Sequence, residues 1–145
     1  MKKLMVCIDF QGESVDSFIK KLRELDWKNI SELHLTSCFV LNMHSFGYFP
    51  EIKIGEIQTE VQKNLDASLD ALAKDLKIGE ETKIIKKGLI SESERETLAR
   101  YSNENEIDQV IISTRKKHGI AGYFTSSFAE FMLRHSKREL LIFRE

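Results

Sequence analysis

The sequence predicts an α/β domain built on a doubly wound, five-stranded parallel sheet with helices on both faces. Three observations lead there. Four short runs are apolar at consecutive rather than alternate positions, the pattern of strands covered on both faces. The intervals between them carry apolar residues at helical spacing, and the two kinds of segment alternate along the chain. Such alternation is met most economically by parallel strands joined through right-handed crossovers.

The first strand is read over Leu4 to Phe10, and the first helix from Val15, Phe18, Ile19, Leu22 and Leu25, which form one stripe. Leu33 to Leu41 gives the second strand. The second helix has the clearest pattern: Ile57, Val61, Leu65, Leu69, Leu72 and Leu76 share a face, Lys63, Asp66, Asp70 and Lys74 occupy the other, and the exit is set near Gly79. Thr82 to Lys87 makes a shorter third strand, whose Lys83, Lys86 and Lys87 suit a sheet edge. Ser91 or Ser93, followed three residues later by Glu94 or Glu96, has the spacing of a capping box and starts the third helix, which leaves at Asn103 to Asn105. Val110 to Thr114 is the fourth strand. A fourth helix from about Ser126 groups Phe124, Phe128, Phe131 and Met132, and Leu140 to Phe143 closes the sheet.

At 145 residues and 41% hydrophobic composition, the chain fits one domain over 1–145 with a substantial core. Its formal net charge of -1 gives no overall field to gather nucleic acid or an anionic membrane, so neither is expected as a partner. The apolar run after Lys2 and Lys3 stops at Asp9 without a small-residue cleavage site, and it reads as a strand rather than a secretory signal. No stretch approaches the roughly 18 apolar residues of a membrane span. The 2 cysteines form neither a disulfide framework nor a zinc-ligand pair. A cytoplasmic location is the expectation. Cys7 and Cys38 lie in apolar runs without a neighbouring cation, where thiols act as small buried hydrophobes.

The irregular segment 42–55, with His44, Phe46, Tyr48, Phe49 and the single proline, Pro50, is longer than most strand-to-helix connections. It is read as a flap over a hydrophobic patch, with a ligand lid or partner surface as the alternatives. His34, His44, His118 and His135 show no metal-ligand spacing and are read as structural or surface residues. No serine or cysteine sits in a recognisable activated setting.

In a doubly wound sheet the ligand crevice lies outside the carboxyl ends of the strands. Asp9 to Gly12 and Ser113 to Gly119 are the segments that reach it. Together with Leu33-His34-Leu35, Gly88 opening the connection to the third helix, Glu106 to Ile112 with its aspartate ahead of the fourth strand, and the closing Leu140 to Phe143, they resemble the universal stress protein family in element order over essentially the full chain. The resemblance implies strand order 3-2-1-4-5, a Rossmann-like architecture of the adenine nucleotide alpha hydrolase-like kind. It also implies a homodimer paired through the last strand, at Leu140, Leu141, Ile142 and Phe143.

ATP-binding members of that family carry glycine, two residues, glycine, nine residues, then glycine followed by serine or threonine. The corresponding positions here are Ser113, Lys116, Ser126 and Ser127, so the spacing survives and the glycines do not. Gly119 and Gly122 fail as substitutes, because nine residues on lies Met132, inside a helical stripe. Glycine lets backbone amides approach phosphate closely and permits positive φ, which costs other residues about 1–2 kcal/mol. Against that loss, Arg115, Lys116 and Lys117 bring cations to a helix start, where Ser126 and Ser127 add hydroxyls. By resemblance, Asp9 and the Leu35 backbone go to the nucleoside, and Lys116, Ser126 and Ser127 to the phosphates.

A phosphoacceptor receiver domain would need a pair of acids after the first strand and an aspartate ending the third, where Lys86-Lys87-Gly88 stands instead. A flavodoxin phosphate loop, the Walker pattern and the dinucleotide glycine fingerprint are absent. The expectation is a regulatory stress-response protein that acts by binding an undetermined protein partner, needs no cofactor, and has weakened or lost nucleotide affinity. The alternative is a nucleotide switch or slow ATPase that takes ATP through a variant loop.

Overall fold

The computed structural model describes residues 1–41, 54–114 and 127–144. Strands β1 (Lys2–Cys7), β2 (Ile30–Val40), β3 (Lys83–Ser91), β4 (Gln109–Ser113) and β5 (Glu139–Phe143) alternate with helices α1 (Val15–Arg23), α2 (Ile54–Asp75), α3 (Glu94–Glu104) and α4 (Ser127–His135). They form one parallel sheet in the order β3-β2-β1-β4-β5. Both the fold class and the strand order agree with the reading of the sequence.

The consecutive apolar runs divide between two cores because strand side chains alternate faces. On one face Leu4, Val6, Ile8, Leu33 and Leu35 pack against Phe18 and Leu22 of α1 and Leu69, Leu72 and Leu76 of α2. On the other, Met5, Cys7, Val110 and Ile112 pack against Leu98 and Ala99 of α3 and Ala129 and Met132 of α4. Asp108 fastens the base of the sheet: its Oδ2 accepts the Lys3 N–H at 2.7 Å, and its own N–H donates to Lys3 O at 2.9 Å.

Boundaries differ where a local signal was outweighed. β3 continues to Ser91, so Gly88 lies inside the strand opposite Ser37 rather than opening the connection to α3. The glycine is there for packing, since a Cβ at this position would stand 2.9 Å from both Leu65 Cβ and Gln62 Nε2 of α2. Helix α2 stops at Asp75, four residues before Gly79, and Lys77 supplies the left-handed backbone at φ 49°. The reciprocal capping box does not form. Ser93 is the N-cap of α3 without a side-chain cap bond, while Ser91 Oγ accepts the Ser93 N–H at 3.1 Å and the Thr97 hydroxyl at 2.7 Å. Helix α2 begins at Ile54, taking the last two positions of the segment 42–55. The rest of that segment, with His44 and its aromatics, lies outside the described residues.

Candidate functional site

A cavity of about 560 Å³ opens beyond the carboxyl ends of β1 and β2. Its sheet side is lined by Asp9, Phe10 and Gln11 after β1 and by Ser37 to Val40 at the end of β2; Val61, Asn64, Leu65 and Ser68 of α2 and Glu94 of α3 complete it. A smaller recess of about 40 Å³ adjoins it, sharing Asp9 and Glu94 and adding Cys7, Gly12, Ser14, Ser113 and Phe128. The two spaces lie where open α/β sheets place their ligands.

Asp9 is held by its own turn. Its Oδ1 accepts the Gln11 N–H at 3.0 Å and its carbonyl accepts the Gly12 N–H at 3.1 Å, so the chain leaves β1 sharply before Ser14, which holds the N-cap position of α1 without a side-chain cap bond. Gly12 fits beneath the carboxylate: a Cβ there would lie 3.3 Å from Asp9 O and 3.4 Å from Asp9 Oδ2. The turn therefore presents Asp9 to both spaces at once.

The other residues singled out from the sequence are distributed unevenly. Ser113 ends β4 in the smaller recess. Leu35 is fully buried in mid-strand, in register with Val6 and Lys86, and the cavity starts two residues further on at Ser37. Arg115, Lys116 and Ser126 lie outside the described residues, and Ser127 is described only as the first residue of α4. Leu140, Leu141, Ile142 and Phe143 form the half-buried body of β5, at one edge of the sheet.

Several lining residues escaped the sequence reading, chiefly Ser37, Asn64, Ser68 and Glu94. A signal for two of them was present, because Ser68 lies one helical turn after Asn64, beside the apolar stripe of α2. That stripe carries Val61 and Leu65 into the cavity wall before Leu69 and Leu72 take it into the core.

The buried thiols and the His34 cluster are set for structure. Burial pushes the Cys7 thiol up to about 12 and the Cys38 thiol up to about 11, so both stay protonated near neutrality. His34, 2% exposed, is held between Tyr101 Oη at 2.8 Å from Nδ1 and Glu32 Oε2 at 3.0 Å from Nε2. The hydrogen bond from His34 lowers the Glu32 carboxyl below its usual range, and burial raises the Tyr101 phenol. Among the described residues no cluster of three or more His, Cys, Asp or Glu side chains could hold a metal ion, and no helix is long and apolar enough to cross a membrane.

Among solved structures, this chain is similar to a hypothetical protein studied for structure-based assignment of its biochemical function, at 15% identity and TM-score 0.77 over 99% of this chain and 96% of that one. It is also similar to a universal stress protein in complex with cAMP, at 16% identity and TM-score 0.62 over 99% and 96% of the two chains. A third similar structure is the universal stress protein from Archaeoglobus fulgidus in complex with dAMP, at 10% identity and TM-score 0.57 over 98% and 97%. At these identities the likeness shows the fold alone. No curated protein matches the sequence. The sequence model of the universal stress protein family matches residues 1–144, and with the strand order and tip cavity in agreement, the chain belongs to that family.

Proposed function

We propose that this chain acts by binding rather than by catalysis, seating the nucleoside part of an adenine nucleotide in the cavity at the tips of β1 and β2 with a weakened grip on the phosphates. The observation that carries this reading is the cavity itself. Its volume of about 560 Å³ lies within the range of roughly 300–1,000 Å³ typical of small-molecule sites, and its lining joins aromatic and aliphatic surface to a few polar groups. Asp9 stands at its edge as an acceptor for ribose hydroxyls, the role acidic residues take in other nucleotide-binding α/β sheets. Two solved relatives in complex with cAMP and dAMP support the ligand class. The seat uses Ser37 to Val40, beyond the Leu35 backbone that the family resemblance suggested.

By the family's motif spacing, Ser113, Lys116 and Ser126 take the positions where ATP-binding relatives have glycine. Side chains there keep backbone amides away from phosphate, which is why the reading gives the nucleoside most of the affinity. Thiols that stay protonated support binding without covalent chemistry. The regulatory output would pass through a homodimer formed at the free edge of β5 and through a protein partner. The test is calorimetric titration of the full chain with AMP: binding in the parent that Asp9→Asn weakens several-fold supports the seat, and equal binding by both proteins removes Asp9 from it.

A second reading is favoured by Arg115, Lys116 and Lys117, whose charge suits a phosphate. It makes the chain a nucleotide switch or slow ATPase. Tight ATP–magnesium binding that disappears in a Lys116→Glu, Ser127→Ala variant would establish it over the first.

A further inference from the structure

The cavity is lined from β2 and α2 by polar side chains that make no hydrogen bond among the described residues. Ser37 is 2% exposed and lines the cavity, yet its hydroxyl has no hydrogen-bond partner among the described residues. Asn64 and Ser68, one turn apart on α2, line the same space and likewise make no hydrogen bond among the described residues. A ligand entering the cavity can pair with the Ser37 hydroxyl in place of water. Apolar surface for a flat ring stands beside these groups in Phe10, Phe39 and Val61.

We propose that Asn64, assisted by Ser37 and Ser68, reads the edge of a planar heterocycle that carries an amino donor next to a ring-nitrogen acceptor. The inference rests on the nucleoside seat proposed above and adds the residues that select the base. A carboxamide presents one acceptor and one donor side by side. It therefore pairs with the amino group and N7 of adenine together, whereas a base offering a carbonyl beside N7 presents two acceptors to a single donor. The hydroxyls of Ser37 and Ser68 each donate and accept, so they satisfy remaining ring positions without dictating which base enters.

The experiment is titration of the full chain with AMP and with IMP, which differ at this edge by an amino group against a carbonyl. The parent is expected to favour AMP roughly tenfold, within the range for one bidentate contact. Asn64→Ala should lower AMP affinity by a similar factor and leave IMP nearly unchanged, so that the preference vanishes. Asn64→Asp, which keeps the acceptor for the amino group but has no donor for N7, should weaken AMP while repelling the carbonyl of IMP, so that AMP affinity falls and the preference persists. Asn64 is exposed and its side chain makes no hydrogen bond among the described residues, so both variants should melt with the parent. A parent that binds AMP, with Asn64 variants that keep its affinity and preference, overturns this inference and leaves the nucleoside seat standing. A parent that binds neither nucleotide overturns both.

Discussion

Gly88 sets the distance between α2 and the sheet, and Gly88→Ala tests that placement. The added Cβ would lie 2.9 Å from Leu65 Cβ, whereas carbon atoms prefer about 3.5–4.0 Å. Gln62, which donates through Nε2 to Gly88 O at 3.0 Å, can swing aside at the cost of that bond. Leu65 Cβ is fixed to the helix, so the helix itself must retreat by about 0.6 Å or more. Overpacking of this kind costs about 1–3 kcal/mol. Removing glycine's freedom from the unfolded chain returns about 0.4–1 kcal/mol. The net expectation is a loss of about 1–2 kcal/mol, or a fall in Tm of about 3–8 °C for a domain of this size. Circular dichroism melting measures it, with Gly79→Ala as the control because a Cβ there meets nothing within 4 Å. Because Leu65 also lines the cavity, AMP binding should weaken with stability. A Gly88→Ala protein that melts at or above the parent would refute the close approach of helix and strand.

Three further outcomes are expected. With pKa values pushed to about 12 and about 11, Cys7 and Cys38 should resist iodoacetamide in the native protein near neutrality and react readily in urea; native alkylation of Cys7 at the rate of a free thiol would contradict its burial. The lowered Glu32 carboxyl contributes stability that is fully present above its ordinary value of 4.5 and is lost as pH falls through the lower folded value. Glu32→Gln should therefore flatten the fall of the urea midpoint below pH 4.5, and an unchanged slope would show that the His34 contact does not hold the carboxylate. If the parent is the homodimer proposed above, Leu141→Lys on the β5 edge should give monomer or insoluble protein by light scattering, while an unchanged dimer would exclude that edge as the interface.

The fold was legible because burial on two sides leaves a strong mark: β1 and β4 can only be written with apolar residues at successive positions. Ends of elements were less so. Gly88 looks like a strand exit when the criterion is backbone freedom, and its use is instead to admit α2, a tertiary fact with no local signature. Gly79 looks like a helix terminator, yet Lys77 adopts the left-handed conformation first. The cavity was legible on the sheet side, where a carboxylate closing a buried strand is conspicuous. On the helix side, Asn64 and Ser68 resemble ordinary solvated positions until α2 is placed over β2 and β3. Helical spacing shows which face is apolar, but not that its margin borders a cavity.

The balance between nucleoside and phosphate is tested most directly by titrating the parent chain with AMP and with ATP–magnesium under the same conditions. The account predicts measurable AMP binding and an ATP affinity within about tenfold of it, a difference of no more than about 1.4 kcal/mol from the added phosphates. ATP–magnesium bound a hundredfold or more tightly than AMP, or no binding of either, would contradict it.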